Sequence, residues 1–195
     1  MNRRQFCQKG SAAIAWTLWS PHSRAETDLV TAALGGRTLV QDHTQHYPHH
    51  EGVVDLNNGH RFFFHAHRTG ELGHFHTFSV DQYRAPIHVA MISIDRSGKP
   101  ILISTTNQWV TGTRYLDAEA MLEHIHGFGL EPLTYKHPSL VRFVNEQVRD
   151  HADVLSQLYK ERDVWLAKYR ATHESDPFKD TSHEILSSRA IEGAG

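Results

Sequence analysis

HRFFFHAHRTGELGHFHTF, residues His60 to Phe78, decides how this chain of 195 residues is read. Five histidines and one glutamate fall within it, on two runs of β-forming residues separated by a turn containing Gly70. Side chains alternate faces along an extended strand, so His65 and His67 project to one side of the first run, and His74 and His76 to one side of the second. Antiparallel pairing of the two runs brings four imidazoles together. Neutral imidazole is the commonest protein ligand for mid-row transition metals, and Glu71 in the turn adds a carboxylate oxygen. His65, His67, Glu71, His74 and His76 are therefore the candidate metal ligands. The competing reading is a hydrogen-bonded histidine cluster beside an aromatic core of Phe62, Phe64, Phe75 and Phe78. Four histidines at strand spacing with a carboxylate favour the metal.

Working outward, Val53 to Leu56 leads through Asn57-Asn58-Gly59 into the first run, and Ile87 to Asp95 and Ile101 to Thr106 follow the second. The linkers are too short for crossover helices, which predicts an antiparallel meander of about four to five strands. From Asp117 the period becomes helical. Asp117 reads as an N-cap, Leu116, Met121, Ile125 and Phe128 share one face, and Gly127 or Gly129 ends the helix. Pro138 opens a second helical region in which Val141, Val144, Val148, Leu155, Tyr159, Leu166 and Tyr169 keep a three-to-four spacing up to about Thr172. Strands followed by helices imply an α+β fold with the helices on one face of the sheet. Before the strands, residues 26–41 hold a short helix stopped at Gly35-Gly36, and DHTQHYPHHEG is a polar loop. The tail from Glu174 to Gly195 has no sustained period, the pattern of a partly disordered terminus. One domain over residues 26–173 is the economical division.

The N-terminus carries an address. Arg3-Arg4 precedes Phe6, GSAAIAWTLW at Gly10 to Trp19 is a short, weakly apolar stretch, and Ser23-Arg24-Ala25 is a small-x-small cleavage site. Residues 1–25 thus resemble a twin-arginine (Tat) signal, with the Tat export machinery as partner, the periplasm as destination and cleavage after Ala25. The apolar stretch is well short of the roughly twenty residues that span a bilayer, so no stable membrane anchor is expected.

A formal charge of −2, from 22 acidic and 20 basic residues, gives no electrostatic footprint for nucleic acid or an anionic membrane. Cys7, the only cysteine, lies in the signal, so the exported protein has neither a disulfide nor a thiolate ligand. Nitrogen and oxygen donors suit a transition metal ion such as Zn, Cu(II), Ni, Fe(II) or Mn, and argue against iron–sulfur and blue-copper centres. The chain has no GxSxG, HExxH or P-loop motif. Three function classes remain: a metal-binding protein whose reaction, if any, is open; a metalloenzyme with an open His/Glu centre, Glu71 acting as ligand or base; and a non-metal module binding a small ligand or partner.

Other polar groups read more simply. His43, His46, His49 and His50 are a solvated loop. His124 and His126, two apart on a helix, diverge by about 200° and are structural. Asn107, Trp109, Thr111 and Arg114 form a strand-to-helix connection with a packed Trp, and Glu161, Arg162 and Asp163 a solvated helix face.

Two known patterns touch these residues. Gly59, His65, His67 and Glu71 reproduce most of the first cupin motif, GxxxxxHxHxxxE, whose histidines and glutamate resemble metal ligands on a β-barrel. Phe78 stands where cupins place a glycine, and their second motif is missing. FFFHAH, ELGHFHTF, TTNQWVTG at Thr105 to Gly112 and ERD at Glu161 to Asp163 are similar to an uncharacterised bacterial family, a domain of unknown function. Its members often read EHGHFH where this chain has Leu72. The resemblance implies that the HxH, ExGHFH and TTNxWVTG segments belong together in one fold, and carries no activity.

Overall fold

A computed structural model describes residues 28–191. Residues 1–25, read above as a Tat-like signal, lie outside the described residues. A short helix α1 (Leu29–Leu34) precedes six strands: β1 (Asp42–Tyr47), β2 (Val53–Val54), β3 (Arg61–Ala66), β4 (Gly73–Val80), β5 (Pro86–Ile94) and β6 (Pro100–Thr106). Helices α2 (Gln108–Thr111), α3 (Ala118–Gly127), α4 (Pro138–Asp150) and α5 (Ala152–Thr172) follow, and a last strand, β7 (Ile185–Ala190), ends the fold. The strands form one antiparallel sheet in the order β1-β3-β4-β5-β6-β7, with β2 also on β3. The fold is α+β, as the sequence implies. Among the described residues, no helix is long and apolar enough to cross a membrane.

Alternation sorts the central strands into two faces. Phe64 pairs with Phe75, Phe75 with Ile92, and Ile92 with Ile103, so these four apolar residues share one face. All are buried in a continuous core with Met121 and Ile125 of α3, Leu140, Val141, Val144 and Val148 of α4, and Leu155, Leu158 and Tyr159 of α5. Each such side chain contributes about 1.5–3 kcal/mol by leaving water. The opposite face holds the pairs Arg61–Phe78, Phe63–His76 and His65–His74. The histidine register is therefore locked, because a slip of one residue would drive Phe64 and Phe75 out of the core.

Caps fix the helix ends much as the sequence predicts. Asp117 accepts from the Ala120 backbone N–H, and Gly35 closes α1 in the left-handed conformation that glycine adopts without a Cβ penalty. The long helical region is divided at His151. Its ring Nδ1 takes the Gln147 carbonyl, the acceptor a continuing helix would use for the His151 backbone.

Three expectations are corrected. DHTQHY is strand β1, whose Cα partners on β3 include Ala66 and Phe64, and it raises the strand count together with β7. The terminal segment is ordered through Ile191: Leu102 to Thr106 of β6 pair with β7, and Ser187 Oγ, 2.7 Å from the Leu158 carbonyl, ties that strand to α5. Arg162 is only 6% exposed, set against the rings of Tyr115 and Tyr159 and paired with Asp163. Asp163 in turn accepts from the Ala118 backbone N–H at the start of α3. The ERD segment is thus a packed joint, of which only Glu161 lies in the open, paired with Arg189.

Candidate metal centre

The β3–β4 hairpin brings the rings of His65, His74 and His76 within 4.4–5.0 Å of one another, centroid to centroid. All three are buried. His67, one position past the end of β3 and half-buried, lies 4.9 Å from His65 and 5.1 Å from His74 by the same measure. Two donor groups result, His65–His74–His76 and His67–His74–Glu184, each with its ligating atoms within 4.8 Å of one another. The buried histidine cluster could therefore hold a metal ion.

Hydrogen bonds decide which nitrogens are available. His65 Nδ1 faces the His43 carbonyl at 3.1 Å, an acceptor only, so Nδ1 carries the hydrogen and Nε2 the lone pair. His74 Nδ1 is bonded to the Glu71 carboxylate, which likewise leaves a lone pair on Nε2. That Nε2 is buried and touches no hydrogen-bond partner. Glu184 Oε1 is also buried without a hydrogen-bond partner, its ion-pair contacts to His67 Nε2 and Arg68 being long at 3.7 Å and 3.9 Å. A bare imidazole nitrogen and a bare carboxylate oxygen in one cluster are both acceptors. Buried acceptors without donors are costly, and a cation satisfies both at once.

His76 links the cluster to a fourth buried ring. Its Nε2 lies 3.1 Å from His65 Nε2, and its Nδ1 lies 2.9 Å from His88 Nε2. His88 Nδ1 is 3.3 Å from Thr106 Oγ1. Without an ion, His76 Nε2–H donates to His65, His88 Nε2–H to His76, and Thr106 to His88. An ion on His76 Nε2 demands the reverse order, and the Thr106 hydroxyl accommodates it because it donates or accepts equally. His88 is thus placed to fix the tautomer of His76, the usual task of a group behind a ligand.

A bulge puts His88 there. Thr77 pairs with Ala90 but Phe78 pairs with His88, so Val89 is an extra residue on β5. It turns inward to the core and lets His88 join the histidine face. Tyr159 Oη lies 2.9 Å from the carbonyls of both His88 and Val89 and holds the bulge.

The electrostatics favour neutral rings at His65, His67, His76 and His88. Burial, reinforced by the neighbouring His74, depresses His65 to about 3 and His88 to about 3, and holds His76 well below the ordinary histidine value. His67 is lowered by burial and by His74 against the opposing pull of Glu184 and Glu71. Burial raises the Glu71 carboxyl, but its bond to His74 and the nearby Arg68 guanidinium outweigh that, leaving it below the usual value. Neutral imidazoles beside an ionised carboxylate are the state in which such groups bind metals.

The cluster opens on a cavity of about 620 Å³. His65, His67 and His76 lie on its wall with Phe63, Phe78, Arg61 and Trp109. His43, His46 and His50 line it too, so three of the four histidines read as a solvated loop face the cavity, although none belongs to a donor group. His46 stacks on Phe63 with centroids 4.0 Å apart. Trp109 is 40% exposed at the cavity instead of packed in the interior, anchored by Nε1 to the His183 carbonyl. Asn107 is fully buried, caps α2 and donates to the Pro177 carbonyl, tying the terminal segment down. Arg114 pairs with Asp81, and His124 bonds Ser79, both away from the cluster.

Of the candidate ligands, the structure gathers His65, His67, His74 and His76 on one face and sets Glu71 behind His74, outside both donor groups. Sequence reasoning missed Glu184. A lone glutamate in a polar segment before a short strand has no spacing to mark it.

An α+β protein with a histidine-walled cavity on the sheet face opposite helices α3, α4 and α5 is the class that fold and site define. The chain belongs to the family described as domain of unknown function (DUF6969), which matches residues 17–191. No curated protein and no solved structure matches it.

Proposed function

We propose that this protein binds a transition metal ion through His65, His74 and His76, with His67 and Glu184 at the margin of the same centre. The observation that carries this reading is the bare, buried Nε2 of His74, held in place by Glu71 on the other ring nitrogen. A structural histidine cluster satisfies its own nitrogens; this one leaves an acceptor pointing at nothing. Zn, Cu, Fe, Mn and Ni all accept such a donor set. The Tat-like signal supports delivery of the folded, loaded protein to the periplasm, where the ion is already in place before competing metals are met.

The cavity favours an open centre over a closed storage site. Three of the imidazoles border a space wide enough for a small molecule, and three protein ligands with one free position is the arrangement of catalytic zinc sites. A bound ion supplies Lewis acidity or a redox couple at that wall. The residues around it position the ligand and exclude bulk water.

Cobalt(II) tests this directly. Titration of the metal-free protein is expected to give the visible bands of four- or five-coordinate cobalt, and azide is expected to shift them by occupying the free position. A spectrum of saturated six-coordinate cobalt that ignores azide contradicts an open centre.

A further inference from the structure

The cavity has a second polar pole. Arg61 lies on its wall, and its guanidinium sits 5.2 Å above the Phe78 ring. Among the described residues, no carboxylate pairs with it, whereas Arg68 faces Glu184, Arg114 faces Asp81 and Arg189 faces Glu161. Arg61, Phe63 and His65 occupy successive positions on the same face of β3, so Arg61 stands four residues, roughly 13 Å along the strand, from His65. Phe63 stands between the two poles with His46 stacked on it, and Phe78, Trp109 and Val110 add aromatic and apolar surface to the same wall. An arginine stacked on an aromatic ring with its fork unpaired is pre-organised for a planar anion.

We propose that the cavity takes a small organic carboxylate with a flat apolar body, its anionic group on Arg61 and its far end directed at the histidine cluster. The charges select a monoanion. At the Arg61 end that side chain supplies one positive charge, while Glu51 also borders the cavity and opposes a doubly charged phosphate there. The volume of about 620 Å³ suits a ligand of one or two rings. The near end rests on Arg61 alone; the far end rests on the metal centre proposed above.

The test uses the full chain loaded with zinc and two probes, benzohydroxamate and 4-carboxybenzohydroxamate, whose hydroxamate end grips the ion. Calorimetry is expected to show the carboxylated probe binding about tenfold tighter, the worth of one charged hydrogen-bonded pair. In Arg61→Gln the ratio is expected to fall to about one, and in Arg61→Lys to an intermediate value. The ratio is read within one protein, so a general loosening of the fold lowers both affinities together. A ratio near one in the unaltered protein, or an undiminished ratio in Arg61→Gln, overturns the assignment. Benzoate added to metal-free protein separates the two proposals: binding that Arg61→Gln abolishes supports the carboxylate site even where zinc is not taken up, and no binding in either protein overturns it.

Discussion

Glu71 and His74, three residues apart across the turn into β4, are joined carboxylate to Nδ1, and the far nitrogen of the same ring is buried without a partner. The carboxylate fixes both the orientation and the tautomer of that ring. Glu71→Gln is expected to weaken metal binding by about 10- to 100-fold without abolishing it. Competition against a chromogenic chelator measures this. Complete loss of binding would show that the carboxylate is itself a ligand.

His74 is common to both donor groups, while His65 and His67 each belong to one. His74→Ala is therefore expected to remove metal binding, and His67→Ala to leave a weakened site. Equal residual affinity in the two variants would mean that His74 is not the shared donor. Glu184→Gln is expected to behave like His67→Ala.

The Tyr159 hydroxyl serves two buried carbonyls of the bulge at Val89. Tyr159→Phe strands them at a cost of about 1–3 kcal/mol. For a chain of this size that lowers the melting temperature by roughly 3–10 °C. An unchanged melting temperature would show that the bulge does not depend on this contact.

Acid is expected to unfold the metal-free protein early. His65 and His88 titrate near 3 when folded but near 6.5 when unfolded, so below 6.5 the unfolded chain binds more protons. Stability is then greatest above about pH 7 and falls as pH drops from 6.5 toward 3, by about 2 kcal/mol at pH 5 for each of the two rings. A melting temperature that does not change between pH 7.5 and 5 would contradict neutral, buried rings.

The hairpin was legible because its two periods agree: phenylalanine on one side, histidine on the other, with glycine in the turn. Caps at Asp117 and Gly35 were legible because they act within a few residues. β1 and β7 were not, since DHTQHY and ILSSRA become strands through distant partners, β3 and β6, rather than by their own pattern. Neither was the bulge. Ile87 to Ile94 is so apolar that nothing in it marks Val89 as supernumerary or His88 as turned toward His76. Arg162 and Asp163 read as a solvated pair because two adjacent charges on a helix usually are one, whereas here the rings of Tyr115 and Tyr159 and the start of α3 enclose them.

The most direct measurement is the metal content, by inductively coupled plasma mass spectrometry, of protein purified from cells expressing the full chain, beside a His65→Ala/His76→Ala variant. Near-stoichiometric metal in the unaltered protein and its loss in the variant is the expected result. Equal content in the two, or none in either, contradicts a metal centre on this hairpin.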